Sequence, residues 1–207
     1  LSVAAPAFTL SSSSETRTVN TAATGFTINS TGGAIASFAI SATPAGMSFS
    51  TSTGALTGTP TTVASATAYT ITATNATGST TQTFTLTVSR ATQATLSITS
   101  LTTSTKAYPY SQALSITTSG GSGSGTTTFA IASGGSASGC TLSNSTATAT
   151  ITATTVGTCR IQATKAADST YDEITSAAAT FIFDKASQSI TFTTPSPMTF
   201  GGSNQSI

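Results

Sequence analysis

The chain contains no histidine, no tryptophan and very little charge. Of its 207 residues, six are Lys or Arg and five are Asp or Glu, which leaves a formal net charge of +1. A protein that binds nucleic acid or an anionic membrane surface through electrostatics needs a basic patch, and this composition excludes one of any size. We therefore expect no nucleic-acid partner and no membrane insertion in this segment.

The shortage of acids and bases also argues against catalysis. Glu15 is the only acidic residue in the first ninety or so positions, so a pair of carboxylates for general acid-base work cannot form there. Serine and threonine are abundant, but a hydroxyl nucleophile needs an activating base, and only lysines are available. The sequence predicts a protein that is not an enzyme, with no catalytic residues, no cofactor and no metal.

Long apolar runs are also missing, and no segment has the features of a signal peptide or a membrane span. The chain begins and ends abruptly, which is typical of a segment of a longer protein. Its hydrophobic residues, 37% of the total, instead alternate with Ser and Thr in short runs. This period of two predicts β-strands with one apolar face, and a folded chain.

The clearest alternation lies in two runs that predict a β-hairpin. Three residues of each run should face inward: Tyr69, Ile71 and Ala73, then Phe84, Leu86 and Val88. Residues 75–79 between them form a loop-length segment that contains a glycine. Further strands are predicted around Phe8 and Leu10, Phe26 and Ile28, and Phe38 and Ile40. Each sheet would have one apolar face to cover, so a two-sheet antiparallel sandwich is expected.

An internal repeat predicts two such sandwiches in tandem. Arg90-Ala91-Thr92-Gln93 recurs as Lys185-Ala186-Ser187-Gln188, and Phe38-Ala39-Ile40 recurs as Phe129-Ala130-Ile131. The predicted domains are residues 1–90, residues 91–185, and the first strands of a further, truncated repeat in residues 186–207. Strands of the second domain are expected near residues 96–99, 113–117, 127–131, 146–153, 158–164 and 178–183.

Several motifs of the first repeat resemble a known family. They are Pro44-Ala45-Gly46-Met47, the run TGALTGTP at 53–60, the run YTITATNATG at 69–78, and FTLTV at 84–88. Together they resemble the bacterial immunoglobulin-like (cadherin-like) repeat domains of large surface and adhesin proteins, over residues 1–90 and more weakly over 91–185. The resemblance implies an all-β fold of tandem immunoglobulin-like antiparallel β-sandwiches at an extracellular or cell-surface location. Cadherin-like relatives bind calcium through clustered acids, which the first repeat lacks.

The two cysteines, Cys140 and Cys159, are predicted to form a structural disulfide between neighbouring strands. By the repeat they correspond to Met47 and Tyr69. A reactive thiol pair is the alternative, but only Arg160 is adjacent to lower a thiol pKa. Closure of a loop of this length by a disulfide stabilises a fold by about 3 kcal/mol, and such bonds are typical of oxidising, extracellular settings.

Two other groups of residues are candidate sites. The threonines of residues 146–154 could form a flat, ice-binding face, although one isolated ladder favours an ordinary solvated strand. The charged residues of the second repeat could contribute an isopeptide bond, and Asp168, Asp172 and Glu173 among them a cation site, with a solvated turn as the alternative. This charged group comprises Lys165, Asp168, Asp172, Glu173, Asp184 and Lys185.

These observations favour a non-catalytic extracellular stalk or shaft of a large bacterial surface protein, whose partners are the neighbouring repeats. Because edge strands usually carry Lys or Pro and much of this chain has neither, a self-assembling subunit of a filament or sheath is an alternative. A third possibility is a phage virion decoration domain with weak binding to surface glycans. The residues do not decide among these partners.

Overall fold

The computed structural model describes residues 3–101, 104–110, 113–194 and 197. Within these ranges the regular structure is entirely β-strand, as predicted. The first repeat contains β1 Phe8–Leu10, β2 Ser14–Thr18, β3 Ile28–Ser30, β4 Ser37–Ile40, β5 Met47–Phe49, β6 Leu56–Gly58, β7 Ala64–Asn75 and β8 Gly78–Ser89. The second contains β9 Ser97–Ile98, β10 Ser104–Ala107, β11 Ala113–Ser115, β12 Thr118–Ser119, β13 Thr127–Ala132, β14 Thr141–Leu142, β15 Thr148–Thr152, β16 Gly157–Lys165, β17 Ile174–Thr175 and β18 Ala179–Asp184.

The larger sheets of the two repeats have the same strand order. The order is β2-β8-β7-β4 in the first repeat and β10-β18-β16-β13 in the second, where β17 also pairs with β16. The smaller sheets are β1-β3 and β5-β6 in the first repeat, and β9-β12 and β11-β15-β14 in the second. The internal repeat of the sequence is therefore a repeat of topology, and the fold is a tandem of immunoglobulin-like sandwiches.

The long hairpin of β7 and β8 forms as the alternation predicts. All six of its predicted inward residues are buried in the core. The turn is tighter than the five-residue loop expected from the sequence, because Asn75 pairs directly with Gly78. The side chain of Asn75 closes this turn: its Oδ1 accepts the backbone N–H of Thr77 at 2.9 Å and its Nδ2 donates to the carbonyl of Ala34 at 3.1 Å.

The N-terminal strand of each repeat crosses from one sheet to the other. β1 pairs antiparallel with β3, but β2 pairs in parallel with β8, from Ser14 opposite Thr85 to Thr18 opposite Ser89. β9 and β10 repeat this switch, because β10 pairs in parallel with β18. The expectation of purely antiparallel sheets was therefore incomplete. The segment SETRT of β2 is polar on both faces, so the alternation does not reveal it.

Two groups of buried residues form two separate hydrophobic cores. The first contains residues from both sheets of the first repeat: Phe8, Val19, Phe26, Phe38, Met47, Leu56, Tyr69, Ile71, Ala73, Phe84, Leu86 and Val88. The second is built in the same way from Leu96, Ile98, Leu101, Ile116, Phe129, Ala149, Ile151, Cys159, Ile161, Ala163, Phe181 and Phe183. No residue belongs to both clusters. We use "first module" and "second module" for residues 1–90 and 91–185, as a proposed division.

The third segment, residues 186–207, was predicted to contain opening strands of a further repeat. Its described residues, 186–194 and 197, have no assigned strand, and the rest lies outside the described residues. Ile190 and Phe192 are 80% and 88% exposed. The truncated repeat therefore stays a prediction.

Candidate functional site

The disulfide connects the larger sheet of the second module to the start of the β11-β15-β14 sheet. Cys159 lies in β16 and is fully buried, whereas Cys140 immediately precedes β14 of the other sheet and is half-buried. The sequence-based placement in neighbouring strands was therefore wrong, because Cys140 lies just outside β14, and β14 pairs with β15 rather than with β16. Met47 and Tyr69, the corresponding residues of the first module, are also buried in its core. The disulfide of the second module therefore lies at positions that correspond, by the repeat, to buried core residues of the first.

Glu15 joins the edge strand β2 to the loop that precedes Phe26. Its Oε1 accepts the backbone N–H of Thr24 at 2.8 Å, and its Oε2 accepts that of Gly25 at 2.7 Å. Arg17 forms an ion pair with the same carboxylate and donates to the hydroxyl of Thr24. Burial raises the pKa of Glu15, but the hydrogen bonds from Thr24, Arg17 and Gly25 outweigh burial and hold the pKa below its ordinary value. The single acid of the first module is structural.

Asp168 has a similar structural role in the second module. Its Oδ2 accepts the backbone N–H of Ser124 at 2.6 Å, and its Oδ1 accepts those of Thr170 and Tyr171, both at 2.8 Å. These hydrogen bonds, led by the one from Ser124, lower the pKa of Asp168 far below its ordinary value. Because they use both oxygens, Asp168 closes the turn that the solvated-turn alternative expected. The described residues contain no cluster of three or more His, Cys, Asp or Glu that could hold a metal ion.

The threonine run of residues 146–154 does not form one continuous ladder. Only Thr148, Thr150 and Thr152 lie in β15. Thr146 bonds to the side chain of Asn144 before the strand, and Thr154 bonds to the carbonyl of Ser138 after it. A flat face of five hydroxyls is therefore not presented, and the solvated-strand interpretation fits the geometry.

The junction between the modules is held by a group of polar contacts outside the strands. Gln93 is 5% exposed, and its side-chain amide donates to the carbonyls of Asp172 at 2.6 Å, Ala166 at 3.3 Å and Lys165 at 3.4 Å. Ala91 forms a parallel β-bridge with Tyr171. The sequence showed this tetrapeptide only as a repeat marker, and it did not indicate that Gln93 is buried.

Two further bonds complete the bridge. The N–H of Ala91 donates to Thr170 at 2.7 Å, and the N–H of Asp172 donates to Ala91 at 2.9 Å. Nε of Arg90 donates to the carbonyl of Asp168 at 2.6 Å. Residues 90–93 are therefore held by the turn that Asp168 organises, and a linker of four residues becomes part of the second module.

The edges of the larger sheets are protected in both modules. At one edge, the outward backbone N–H groups of Phe38 in β4 and Phe129 in β13 donate to loop carbonyls, at Thr51 (2.8 Å) and Ser145 (2.9 Å). At the other edge, β2 carries Glu15 and Arg17, and β10 carries the exposed Lys106, whose Nζ lies 5.8 Å from the ring centre of Tyr110. Paired or charged edges resist the addition of a further strand. The premise that the edges lack Lys and Pro was wrong at β10, whereas β2 has neither residue and carries Glu15 and Arg17 in their place.

This architecture defines the chain as a tandem immunoglobulin-like β-sandwich protein. Residues 2–89 match the family described as "Putative Ig domain", so the resemblance seen in the first module is confirmed. No curated protein matches the chain. In the part of the chain that the structure describes, no helix has the length and apolarity to cross a membrane.

Solved structures that are similar to the chain are known at low sequence identity. The titin domains Z1Z2, solved in complex with telethonin, are 20% identical with a TM-score of 0.47, over 90% of this chain and all of that one. Human protocadherin-24 EC1-2 is 13% identical with a TM-score of 0.39, over 89% and 99% of the two chains. A SusE-like surface-located polysaccharide-binding protein from Bacteroides thetaiotaomicron is 16% identical with a TM-score of 0.35, over 88% of this chain and 34% of that one.

Proposed function

We propose that this chain is a non-catalytic spacer segment, a stalk or shaft, of a large extracellular bacterial surface protein. The family of the first module and the disulfide of the second support an extracellular, structural or adhesive role. The partners of each module are then its neighbours in the same chain. Tension would enter each module through its first strands and leave through its last strand.

The observation that carries this proposal is the parallel pairing of the second strand with the last strand in each module. The chain enters β2 at Ser14 and leaves β8 at Ser89, at opposite ends of the shared ladder. Tension on the two ends therefore pulls β2 and β8 in opposite directions along their own axes. All hydrogen bonds of the ladder are then loaded together, whereas unzipping would break them one after another. β10 and β18 share this geometry, from Ser104 opposite Phe181 to Ala107 opposite Asp184.

The protected edges favour a spacer over a self-assembling filament subunit. Strand addition would need a free row of N–H and C=O groups. The loop bonds at Phe38 and Phe129 each engage one outward N–H on one edge of the larger sheet, and the charges of β2 and β10 lie on the other edge. The spacer should stay monomeric, and light scattering over a wide concentration range should find the mass of one chain, 20.3 kDa.

Force spectroscopy on the full chain, stretched from its two ends, tests the shear geometry. Val19→Pro removes the bond from the Val19 N–H to Ser89, 2.9 Å long, beside the sheared ladder. Ser41→Pro removes a bond of the same length to Thr70, at the opposite edge of the sheet. We expect Val19→Pro to lower the rupture force of the first module below that of Val19→Ala, which trims the same buried side chain but keeps the bond, and Ser41→Pro to leave the force nearly unchanged. Equal effects of the two proline variants would contradict the proposal.

A further inference from the structure

The tetrapeptide of residues 90–93 binds the second module through chemical groups that its second copy, residues 185–188, also possesses. The bonds of Ala91 use only its backbone, and the bond of Arg90 uses a cationic side chain on a backbone carbonyl. The side-chain NH₂ group of Gln93, which is neutral, donates hydrogen bonds to three backbone carbonyls. Lys185-Ala186-Ser187-Gln188 retains the cation, the alanine and the glutamine.

The environment of the two copies differs completely. Gln93 is buried against the turn of residues 165–172, whereas Gln188 and the three residues before it are exposed. Burial of a glutamine is costly unless its amide is hydrogen-bonded; at Gln93 the NH₂ group has acceptors, whereas the buried Oε1 has no partner among the described residues. The same tetrapeptide is thus docked at one end of the second module and solvent-facing at the other.

We infer that Lys185-Ala186-Ser187-Gln188 is a docking peptide for another module of the second type, whose turn equivalent to residues 165–172 would receive Gln188. The partner is defined by its chemistry: three backbone carbonyls for the amide of Gln188, and a strand end that forms a parallel bridge with Ala186. The partner would present a surface equivalent to the turn around Tyr171 of this chain, which Asp168 organises. This inference rests on the proposal that modules are joined in series. The inference adds that each module binds, through hydrogen bonds, the linker that precedes it in the chain.

Hydrogen exchange of the full chain tests the docked copy first. The amides of Ala91 and Asp172 report the bridge directly, because each donates across it. Gln93→Ala should accelerate their exchange about tenfold, the effect of losing one buried hydrogen-bonded group. Gln188→Ala is the matched control and should change neither amide. Equal acceleration by both variants, or none by Gln93→Ala, would overturn the inference.

A second variant tests whether the exposed tetrapeptide is competent to dock. Arg90→Lys with Thr92→Ser converts the first junction into the second one. Protection of Ala91 and Asp172 should remain within a few-fold of the unaltered chain, since Lys can still donate to the carbonyl of Asp168. Exchange as fast as in Gln93→Ala would show that the second tetrapeptide cannot dock.

A third experiment adds the expected partner, a module of the second type, after Gln188. The chain is extended by repeating residues 94–185 after Gln188, and the added module should be folded. In this longer chain, Gln188→Ala should accelerate amide exchange at the junction before the added module. The effect should match that of Gln93→Ala at the junction between the first and second modules. An added module that is unfolded, or indifferent to Gln188→Ala, contradicts the inference. The rupture forces of the first two modules depend on the strand ladders, so they test the spacer proposal independently of this result.

Discussion

The carboxylate of Glu15 accepts the backbone N–H of Gly25 at 2.7 Å, which ties the edge strand β2 to the loop leading into Phe26. Gly25 has a φ of +66°, and a Cβ there would lie 2.2 Å from the carbonyl oxygen of Leu56. The loop therefore approaches the β5-β6 hairpin at a position where only glycine fits. Glu15, whose side chain is 10% exposed, and Gly25 together fix this corner of the first module.

Glu15→Gln should destabilise the first module. Glutamine keeps one acceptor oxygen but presents an NH₂ group to a backbone N–H, and it loses the ion pair with Arg17. The expected loss is about 1–2 kcal/mol in the free energy of unfolding. Hydrogen exchange at Thr24 and Gly25 should accelerate, while amides of the second module remain unchanged. Unaltered exchange at both positions would contradict the structural role of Glu15.

The stability of the second module should fall in acid because of Asp168. Its pKa is lowered in the folded state, so the carboxylate contributes stability that is fully present above the ordinary aspartate pKa of about 3.9. This contribution is lost as the pH falls from that value towards the lower folded pKa. Denaturant unfolding at a series of pH values should show a decline below about pH 4 that Asp168→Asn reduces. A decline of equal steepness in the variant would contradict this assignment.

Reduction of the disulfide should weaken one module and spare the other. Both cysteines lie in the second module, separated by 19 positions. Opening a loop of this size should cost the second module about 3 kcal/mol. Thermal unfolding followed by hydrogen exchange, with and without reductant, should shift only the amides of residues 91–185. The first module, which has no cysteine, is the internal control, and a shift in both modules would contradict two separate cores.

Gly123→Ala should disrupt the turn that receives the junction. Gly123 has a φ of +76°, and a Cβ would lie 2.3 Å from Oδ2 of Asp168. Both the positive φ and the clash should destabilise the second module, by at least about 1 kcal/mol. Gly78→Ala separates the two effects, because Gly78 also has a positive φ but its Cβ would meet open space. Circular dichroism melts should show the larger loss for Gly123→Ala; the reverse order would contradict the close approach.

Removing the charge of an edge strand should promote association. Lys106 is exposed on β10, at the edge of the larger sheet of the second module. Lys106→Val would leave an uncharged, β-prone edge, so we expect concentration-dependent oligomers in sedimentation velocity. Lys185→Val makes the same change just after β18 and should remain monomeric. Two monomeric variants would show that Lys106 does not protect the edge.

The parts of the fold that follow from the sequence are those with alternating side chains. Tyr69, Ile71, Phe84 and Leu86 predict the central hairpin because each lies two residues from the next inward position. β2 and β10 were missed because their side chains are polar and their partners are distant in sequence. The β5-β6 hairpin was recognised only as a motif, since Met47 and Leu56 lie in strands of three residues.

The junction could be predicted only in part. The repeat of Arg90-Ala91-Thr92-Gln93 marks a boundary, but a polar tetrapeptide is equally compatible with a solvated linker. Burial of Gln93 depends on three carbonyls contributed by residues more than seventy positions away. Contacts of that kind are set by the tertiary fold, so neither composition nor periodicity reveals them.

The contour length released when a single chain is stretched tests the central claim most directly, namely that two separately cored sandwiches are joined in series. The account predicts two unfolding events per chain. Reduction should lengthen one of them by roughly 60 Å, the reach of the residues enclosed by the Cys140–Cys159 bond, and leave the other unchanged. A single event that releases the whole chain, or lengthening of both events on reduction, would contradict it.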